Sequence, residues 1–269
     1  MTYKLVFSDL DGTLLNSAHV VSDVTKRAVK ALENIGVPFI LATGRTVNGI
    51  LLIQKDLDIS VPFIASNGGY VEDGKGAVMA ATGFSKEYMS ALIAEGRAVL
   101  PDLEYSVYYN ADWQIENPDT PAAMTERTVT GTEPLIGRFE DVVPDGETVQ
   151  KVLFLEPKPR LPDLAKSMKA AHPDLNIFVS NENMMEVLPA GVSKAWGAQK
   201  VCAFYGVKPE ETVAFGDGPN DIGLFDFCGC AVAMGNAPDA VKEHADIVAA
   251  TNDDDGLAHC LENLFGFTL

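Results

Sequence analysis

Asp9 and Asp11, with Leu10 between them and Gly12 and Thr13 after them, are the residues of this 269-residue chain whose types and spacing most directly suggest chemistry. Residues at i and i+2 of an extended segment can face one side, so both carboxyl groups can address one centre, while Gly12 permits an abrupt turn. Carboxylates that close repel each other, and a divalent cation is the simple way to keep at least one ionised. Asp-x-Asp-Gly also opens calcium loops and ordinary turns. An EF-hand loop needs a Glu at its twelfth position, which is Val20 here, so calcium is disfavoured.

A second acidic cluster, Asp217, Asn220 and Asp221 among glycines and a proline, follows the apolar run 213–215. Alone it reads as a solvated turn. Together the two clusters supply hard oxygen ligands suited to Mg²⁺. Thr43 and Gly44 end another apolar run and offer a hydroxyl and an unobstructed amide to an anion at the start of a helical stretch. Lys194 adds a cation able to neutralise a phosphoryl oxygen, although a lone lysine is ordinarily a solvated charge.

The elements that must position these residues alternate. Strand-like runs at 3–8, 38–42 and 62–66 are separated by helical patterns, the first from the N-cap Ser22 to the stop at Gly36. The tail repeats the theme with strands at 213–216, 230–234 and 247–248 and helices near 223–227 and 239–244. Such alternation predicts an α/β fold with a parallel sheet whose strand-end loops gather on one ligand-binding edge. Between about 84 and 187 the pattern changes to helices at 86–100 and 162–171 among polar-alternating strands at 105–109, 114–116, 151–156 and 176–180, which predicts an α+β module with an antiparallel sheet.

Composition narrows the partners. A net charge of −18 opposes nucleic acid and anionic lipid, and it requires local compensation at any anion site. No basic and apolar leader opens the sequence and no apolar stretch reaches membrane-spanning length, so a cytoplasmic protein is expected, with no membrane partner. Its four cysteines, Cys202, Cys228, Cys230 and Cys260, read as reduced, buried structural thiols. The histidines His19, His172, His244 and His259 show no constellation, and the run Asp253 to Asp255 reads as a solvated loop near a helix start.

Taken in order, the four segments around Asp9, Thr43, Lys194 and Asp217 resemble the motifs of the haloacid dehalogenase superfamily, and Gly191 to Lys194 with Gly216 to Asp221 is most similar to its Cof-type phosphatases, subfamily IIB. The resemblance covers essentially the whole chain, with Ala195 standing where Gly is common. It implies a Rossmann-like parallel-sheet core with an inserted α+β cap. Thr13 and Thr43 are too close for an insertion, whereas Arg45 and Lys194 lie about 150 residues apart, so residues 1–83 and 188–269 are expected to form the core and 84–187 the cap.

The resemblance further implies a Mg²⁺-dependent phosphomonoesterase acting on a small phosphorylated metabolite through an aspartyl-phosphate. Asp9 is the expected nucleophile and Asp11 the acid and base. Asp9, the Asp11 carbonyl, Asp217 and Asp221 are the expected metal site, and Thr43, Gly44, Lys194 and Asn220 the phosphoryl site. A carboxylic acid at position 11 suits transfer from an alkyl phosphate, which leaves a sugar phosphomutase as the enzymatic alternative and a phosphate-sensing protein as the non-catalytic one. Tyr108, Trp113, Glu116, Asn117 and Glu186 are candidates to meet the leaving group, with core packing the expected role of the aromatics.

Overall fold

The computed structural model describes residues 3–156, 158–181 and 183–269. They form two compact units: one of residues up to Gly44, Ile53–Ala80 and Ser193–Leu269, the other of Arg45–Leu52 and Ala81–Val192. No described helix is long and apolar enough to cross a membrane.

The chain opens with β1 (Leu5–Ser8), α1 (Asp23–Asn34), β2 (Phe39–Ala42), α2 (Val47–Leu57), β3 (Phe63–Ala65), β4 (Tyr70–Glu72) and β5 (Val78–Ala81). After α3 (Lys86–Val99) come β6 (Glu104–Tyr109), β7 (Asp112–Ile115), α4 (Pro121–Thr130), β8 (Leu135–Ile136), α5 (Phe139–Val142), β9 (Lys151–Leu155), α6 (Leu161–Ala171), β10 (Asn176–Asn181) and β11 (Met184–Leu188). It closes with α7 (Lys194–Tyr205), β12 (Thr212–Gly216), α8 (Ile222–Phe227), β13 (Cys230–Ala233), α9 (Asp239–Lys242), β14 (Ile247–Val248) and α10 (Gly256–Phe265).

The first unit is built on a sheet of order β14-β13-β12-β1-β2-β3-β4-β5, parallel from β14 through β3 and antiparallel where β3 meets β4. Its central strands are apolar on both faces, as a sheet covered by helices on both sides requires. Leu5, Phe7, Ile40, Ala42, Ile64 and Ala214 pack with Ala198 and Val201 of α7 and Leu224 of α8. The alternate residues Val6, Leu41, Phe63, Val213 and Phe215 are equally buried. Strand β1 pairs with β2 on one side and β12 on the other, with Ser8 opposite both Leu41 and Phe215. The strand order therefore reverses at β1, and the end of β1 is the switch point where open α/β sheets bind ligands.

The second unit carries a sheet of order β10-β11-β9-β6-β7-β8. Its pairs are antiparallel as expected, except that β7 and β8 run parallel. One face holds Met89, Leu92 and Ile93 of α3 and Leu161, Leu164 and Met168 of α6 against Tyr105, Val107, Val152 and Phe154. On the other face Tyr108, Trp113, Ile115, Leu153 and Leu155 pack with Ala123 of α4. Tyr108 and Trp113 are thus core residues of this unit.

Several elements depart from expectation. The sequence reading omits β4, β5, β8, β11, α4 and α5. Helix α4 has weak periodicity but strong punctuation: Thr120 caps it by accepting from Ala123 N–H at 3.1 Å, Pro121 opens it, and Gly131 closes it at φ 67°. Strand β2 starts one residue after Pro38, which has no N–H to give the ladder, and β3 stops before Ser66, whose backbone is left-handed. Cys202, Cys230 and Cys260 are buried and Cys228 half-buried, all unpaired; burial pushes the Cys202 thiol up to about 11 and those of Cys228 and Cys260 to about 12.

Candidate active site

Asp9 follows β1 directly, and its N–H continues the ladder to the Phe215 carbonyl at 3.0 Å. Its carboxylate is nine-tenths buried at the switch point. Lys194 is the first residue of α7, whose N-cap Ser193 accepts from Trp196 N–H at 3.2 Å. A cation in the first turn of a helix opposes the dipole. Two carboxylates offset that: Lys194 Nζ lies 2.7 Å from Asp9 Oδ1 and 2.6 Å from Asp221 Oδ1, with its side chain fully buried.

The loop after β12 completes the group. Asp221, also fully buried, accepts through Oδ2 from the N–H groups of Asp217 at 3.0 Å and Gly218 at 2.9 Å. Asp217 Oδ1 accepts from the Thr13 hydroxyl at 2.8 Å, and Asn236 Nδ2 donates to the Gly12 carbonyl at 2.8 Å while standing 3.4 Å from Asp217 Oδ2. Gly12, at φ 77°, is required on two counts: its backbone is left-handed, and a Cβ there would stand 2.2 Å from Asp217 Oδ2.

One carboxylate oxygen from each of Asp9, Asp217 and Asp221 lies within 4.8 Å of the other two. Burial raises the Asp9 carboxyl well above the ordinary range; Lys194 opposes the shift and the charges of Asp221 and Asp217 add to it. Burial opposes the Lys194 charge, but attraction by Asp221 and Asp9 overrides it and holds the ammonium above the usual lysine range. Asp217 is pushed up to about 6, first by burial, against the Thr13 hydrogen bond and with the charge of Asp221 adding.

Of the other residues singled out by the sequence, Thr43 is buried after β2, its N–H donating to Ile64 O at 2.9 Å, and Gly44 follows it. Asn220 donates through Nδ2 to Asn67 Oδ1 at 3.0 Å. The Asp11 side chain is 42% exposed and stands outside the three-carboxylate group; its neighbour is His19, whose Nδ1 is 3.7 Å from Asp11 Oδ1. The pairing carries no sequence signal, and His19 itself has a left-handed backbone, φ 57°.

Arg45 is nine-tenths buried and groups with the second unit. The acidic run is absorbed by hydrogen bonds: Asp253 accepts from Ser17 N–H and Oγ at 2.8 and 2.6 Å, Asp254 from Thr251 Oγ1 at 2.6 Å, and Asp255 from Ser22. In the second unit Glu116 accepts from Arg97 at 2.6 Å and from Tyr105 at 2.8 Å, Glu186 from Lys151 at 3.0 Å, and Asn117 from the Asp119 N–H at 3.1 Å.

Thr13, Asn67 and Asn236 contact the predicted site residues without having been predicted. Thr13 belongs to the opening motif. Asn236 and Asn67 carry no signal beyond membership of short polar turns.

Comparison with known proteins bears on the family. The family model described as haloacid dehalogenase-like hydrolase matches residues 6–261. The 5-amino-6-(5-phospho-D-ribitylamino)uracil phosphatase YwtE of Bacillus subtilis is 30% identical, over 97% of this chain and 98% of its own. A haloacid dehalogenase-like hydrolase from Bacteroides thetaiotaomicron superposes with a TM-score of 0.86 at 28% identity, covering 98% of this chain and 100% of that one. A sugar phosphatase of HAD subclass IIB superposes at 0.81 with 25% identity, covering 98% and 99%. A family match of that span, with relatives aligned along both chains, has one reading: the chain belongs to the haloacid dehalogenase-like hydrolases and is a phosphatase of their Cof-type, subclass IIB branch.

Proposed function

We propose that the protein is a Mg²⁺-dependent phosphomonoesterase of small phosphorylated metabolites, working through an aspartyl-phosphate on Asp9. The observation that carries this reading is the buried Asp9 carboxylate at the switch point, held by Lys194 at 2.7 Å beside Asp217 and Asp221. Residues 1–83 and 188–269 are the catalytic core in this proposal, and 84–187 the cap.

The donor set fits a hard divalent cation. Three carboxylates against one ammonium leave the group net negative, with one oxygen from each inside a span of 4.8 Å. Asp9 and Asp217 would hold Mg²⁺ directly together with the Asp11 carbonyl. Asp221, whose two oxygens already take Lys194 and two N–H groups, would act behind them. When bound, the ion neutralises these carboxylates and draws charge from the phosphoryl oxygens.

The chain's own residues do the rest. An Asp9 oxygen attacks phosphorus in line, the P–O bond to the alcohol breaks, and Asp11 gives that oxygen its proton. Asp11 then takes a proton from water, the water oxygen bonds to phosphorus, and the Asp9 acyl phosphate is cleaved. Thr43, Gly44, Lys194 and Asn220 hold the phosphoryl oxygens in both steps, where fixed donors stabilise the developing charge.

Phosphate release tests the reading with a panel of p-nitrophenyl phosphate, sugar phosphates and 5-amino-6-(5-phospho-D-ribitylamino)uracil, the last because curated relatives are named for it. Turnover with Mg²⁺ and its loss in EDTA are expected. No release from any panel member with Mg²⁺ present sinks the proposal.

The ionisation of Asp217 adds a second expectation. Its folded pKa of about 6 lies above the ordinary carboxylate value, so the unfolded chain ionises first and the charge costs the metal-free fold stability as pH rises towards 6. Mg²⁺ must displace that proton. Its affinity, measured by calorimetry, should fall on acidification through about pH 6, where a proton competes for Asp217. A constant affinity between pH 7 and pH 5 contradicts the placement of Asp217 on the metal.

A further inference from the structure

Three consecutive residues after β3 hold left-handed backbone: Ser66 at φ 50°, Asn67 at 54° and Gly68 at 107°. Glycine adopts this region freely. Serine and asparagine do so at a cost, and such residues persist where their surroundings over-determine them. Ser66 is fully buried as well, and its hydroxyl has no hydrogen-bond partner among the described residues. The turn is therefore an expensive way to join two short strands.

Its contacts account for that expense. Asn67, 2% exposed, donates its N–H to the Thr43 carbonyl at 2.9 Å and accepts through Oδ1 from Asn220 Nδ2 at 3.0 Å. A Cβ built on Gly44 would stand 3.1 Å from Asn67 Nδ2, so this amide lies against the Thr43 and Gly44 turn. Next to it, Gly68 approaches the start of α7 so closely that a Cβ would meet the Ser193 oxygen at 2.0 Å and the Lys194 nitrogen at 3.2 Å. One three-residue turn thus touches the loop after β2, the loop after β12 and the first residue of α7.

We propose that Asn67 is a positioning residue for the phosphoryl site, holding the Asn220 amide and the Thr43 and Gly44 turn at the spacing that one phosphoryl group requires. The inference rests on the placement of Thr43, Gly44 and Asn220 around that group. With the residue turned left-handed, its side chain reaches Asn220 while its N–H reaches Thr43. A packing residue would need neither bond.

Orthovanadate, a phosphoryl-group mimic, gives a readout independent of turnover. Its affinity is measured by calorimetry at saturating Mg²⁺ for wild type, Asn67→Gly, Asn220→Ala and the double variant, with melting temperatures alongside. Gly suits a φ of 54°, so Asn67→Gly should melt close to wild type while binding orthovanadate at least about tenfold more weakly. Because Asn67 acts largely through Asn220, the double variant should bind within about threefold of Asn220→Ala alone.

Wild-type affinity in Asn67→Gly, or losses that multiply fully in the double variant, overturn the proposal. If Asn67→Gly does not fold, Asn67→Ala carries the same cycle, since it also removes the Oδ1 that accepts from Asn220. Coupled losses in a protein that hydrolyses none of the panel leave the positioning role standing and remove the hydrolysis reading. Uncoupled losses in an active enzyme remove the positioning role alone.

Discussion

Replacing Asp9 by Asn is expected to lower kcat by on the order of 10⁴-fold or more while leaving the protein folded. The amide matches the carboxylate in shape but cannot act as the nucleophile. Stability should hold because the native carboxylate is a burden in the metal-free state: burial and the charges of Asp221 and Asp217 raise it well above the ordinary range. A neutral group at position 9 relieves that repulsion, and Lys194 keeps Asp221 at 2.6 Å as its counter-ion.

The side-chain oxygen of the Asp9→Asn variant can still accept from Lys194, so the geometry at the end of β1 should survive. The metal-free variant is therefore expected to melt at or above the wild-type temperature and to bind Mg²⁺ more weakly. Phosphate release is the deciding measurement. Turnover of the variant within about tenfold of wild type removes Asp9 as the nucleophile.

The positions of Asp9, Thr43 and Asp217 were legible because they follow from one regularity. Each ends an apolar run, the runs alternate with helices, and parallel strands bring their ends to a common edge. Asp221 and Lys194 were named from residue type and order, but their burial was not readable. Lys194, by type, looks like a solvated charge until residues about 185 positions before it and 27 after it close around its Nζ. The same separation hides Thr13 as a partner of Asp217, a bond that spans 204 residues, whereas Asn236 is 19 residues from Asp217 and lies in a short polar turn.

Local punctuation explains the other misses. Asn67 lies in a Ser-Asn-Gly-Gly stretch that reads as an ordinary turn, and the sequence does not disclose that its non-glycine residues are left-handed. Strands β4 and β8, of three and two residues, are too short for a period of two to register. In the second unit the alternation of β6 separates the sheet faces, with Tyr105 and Val107 on one and Tyr108 joining Trp113 on the other. The parallel pairing of β7 with β8 is reached instead across α4, which connects them and whose caps mark it better than its hydrophobic pattern does.

Lys194→Met should be the most destabilising of the single substitutions in this site. The side chain is fully buried between Asp9 Oδ1 and Asp221 Oδ1, so its loss strands two carboxylates with no cation in contact. Breaking a buried pair by removing one partner costs about 3–5 kcal/mol, a large part of the total stability of a typical domain. Methionine fills most of the volume, so the loss reports charge more than a cavity.

The pH dependence separates this from simple packing. In wild type the raised Lys194 pKa contributes stability that is fully present below the ordinary lysine value of about 10.4 and is lost only as pH rises through the folded value above it. In the variant the penalty belongs to carboxylates left without that cation, with Asp9 already raised well above the ordinary range by burial. It grows as pH rises from about 4 and shrinks on acidification. The gap in melting temperature between variant and wild type should therefore be wide at pH 8 and narrow at pH 5.

Adding Mg²⁺ at pH 8 should recover part of the stability, because a bound cation supplies charge to the same carboxylates. It should not recover turnover, since the ammonium that would meet the phosphoryl oxygen is gone. A melting temperature equal to wild type at pH 8 without metal would mean that the Lys194 charge contributes nothing to the fold. Equal phosphate release with Mg²⁺ would mean the same for the chemistry.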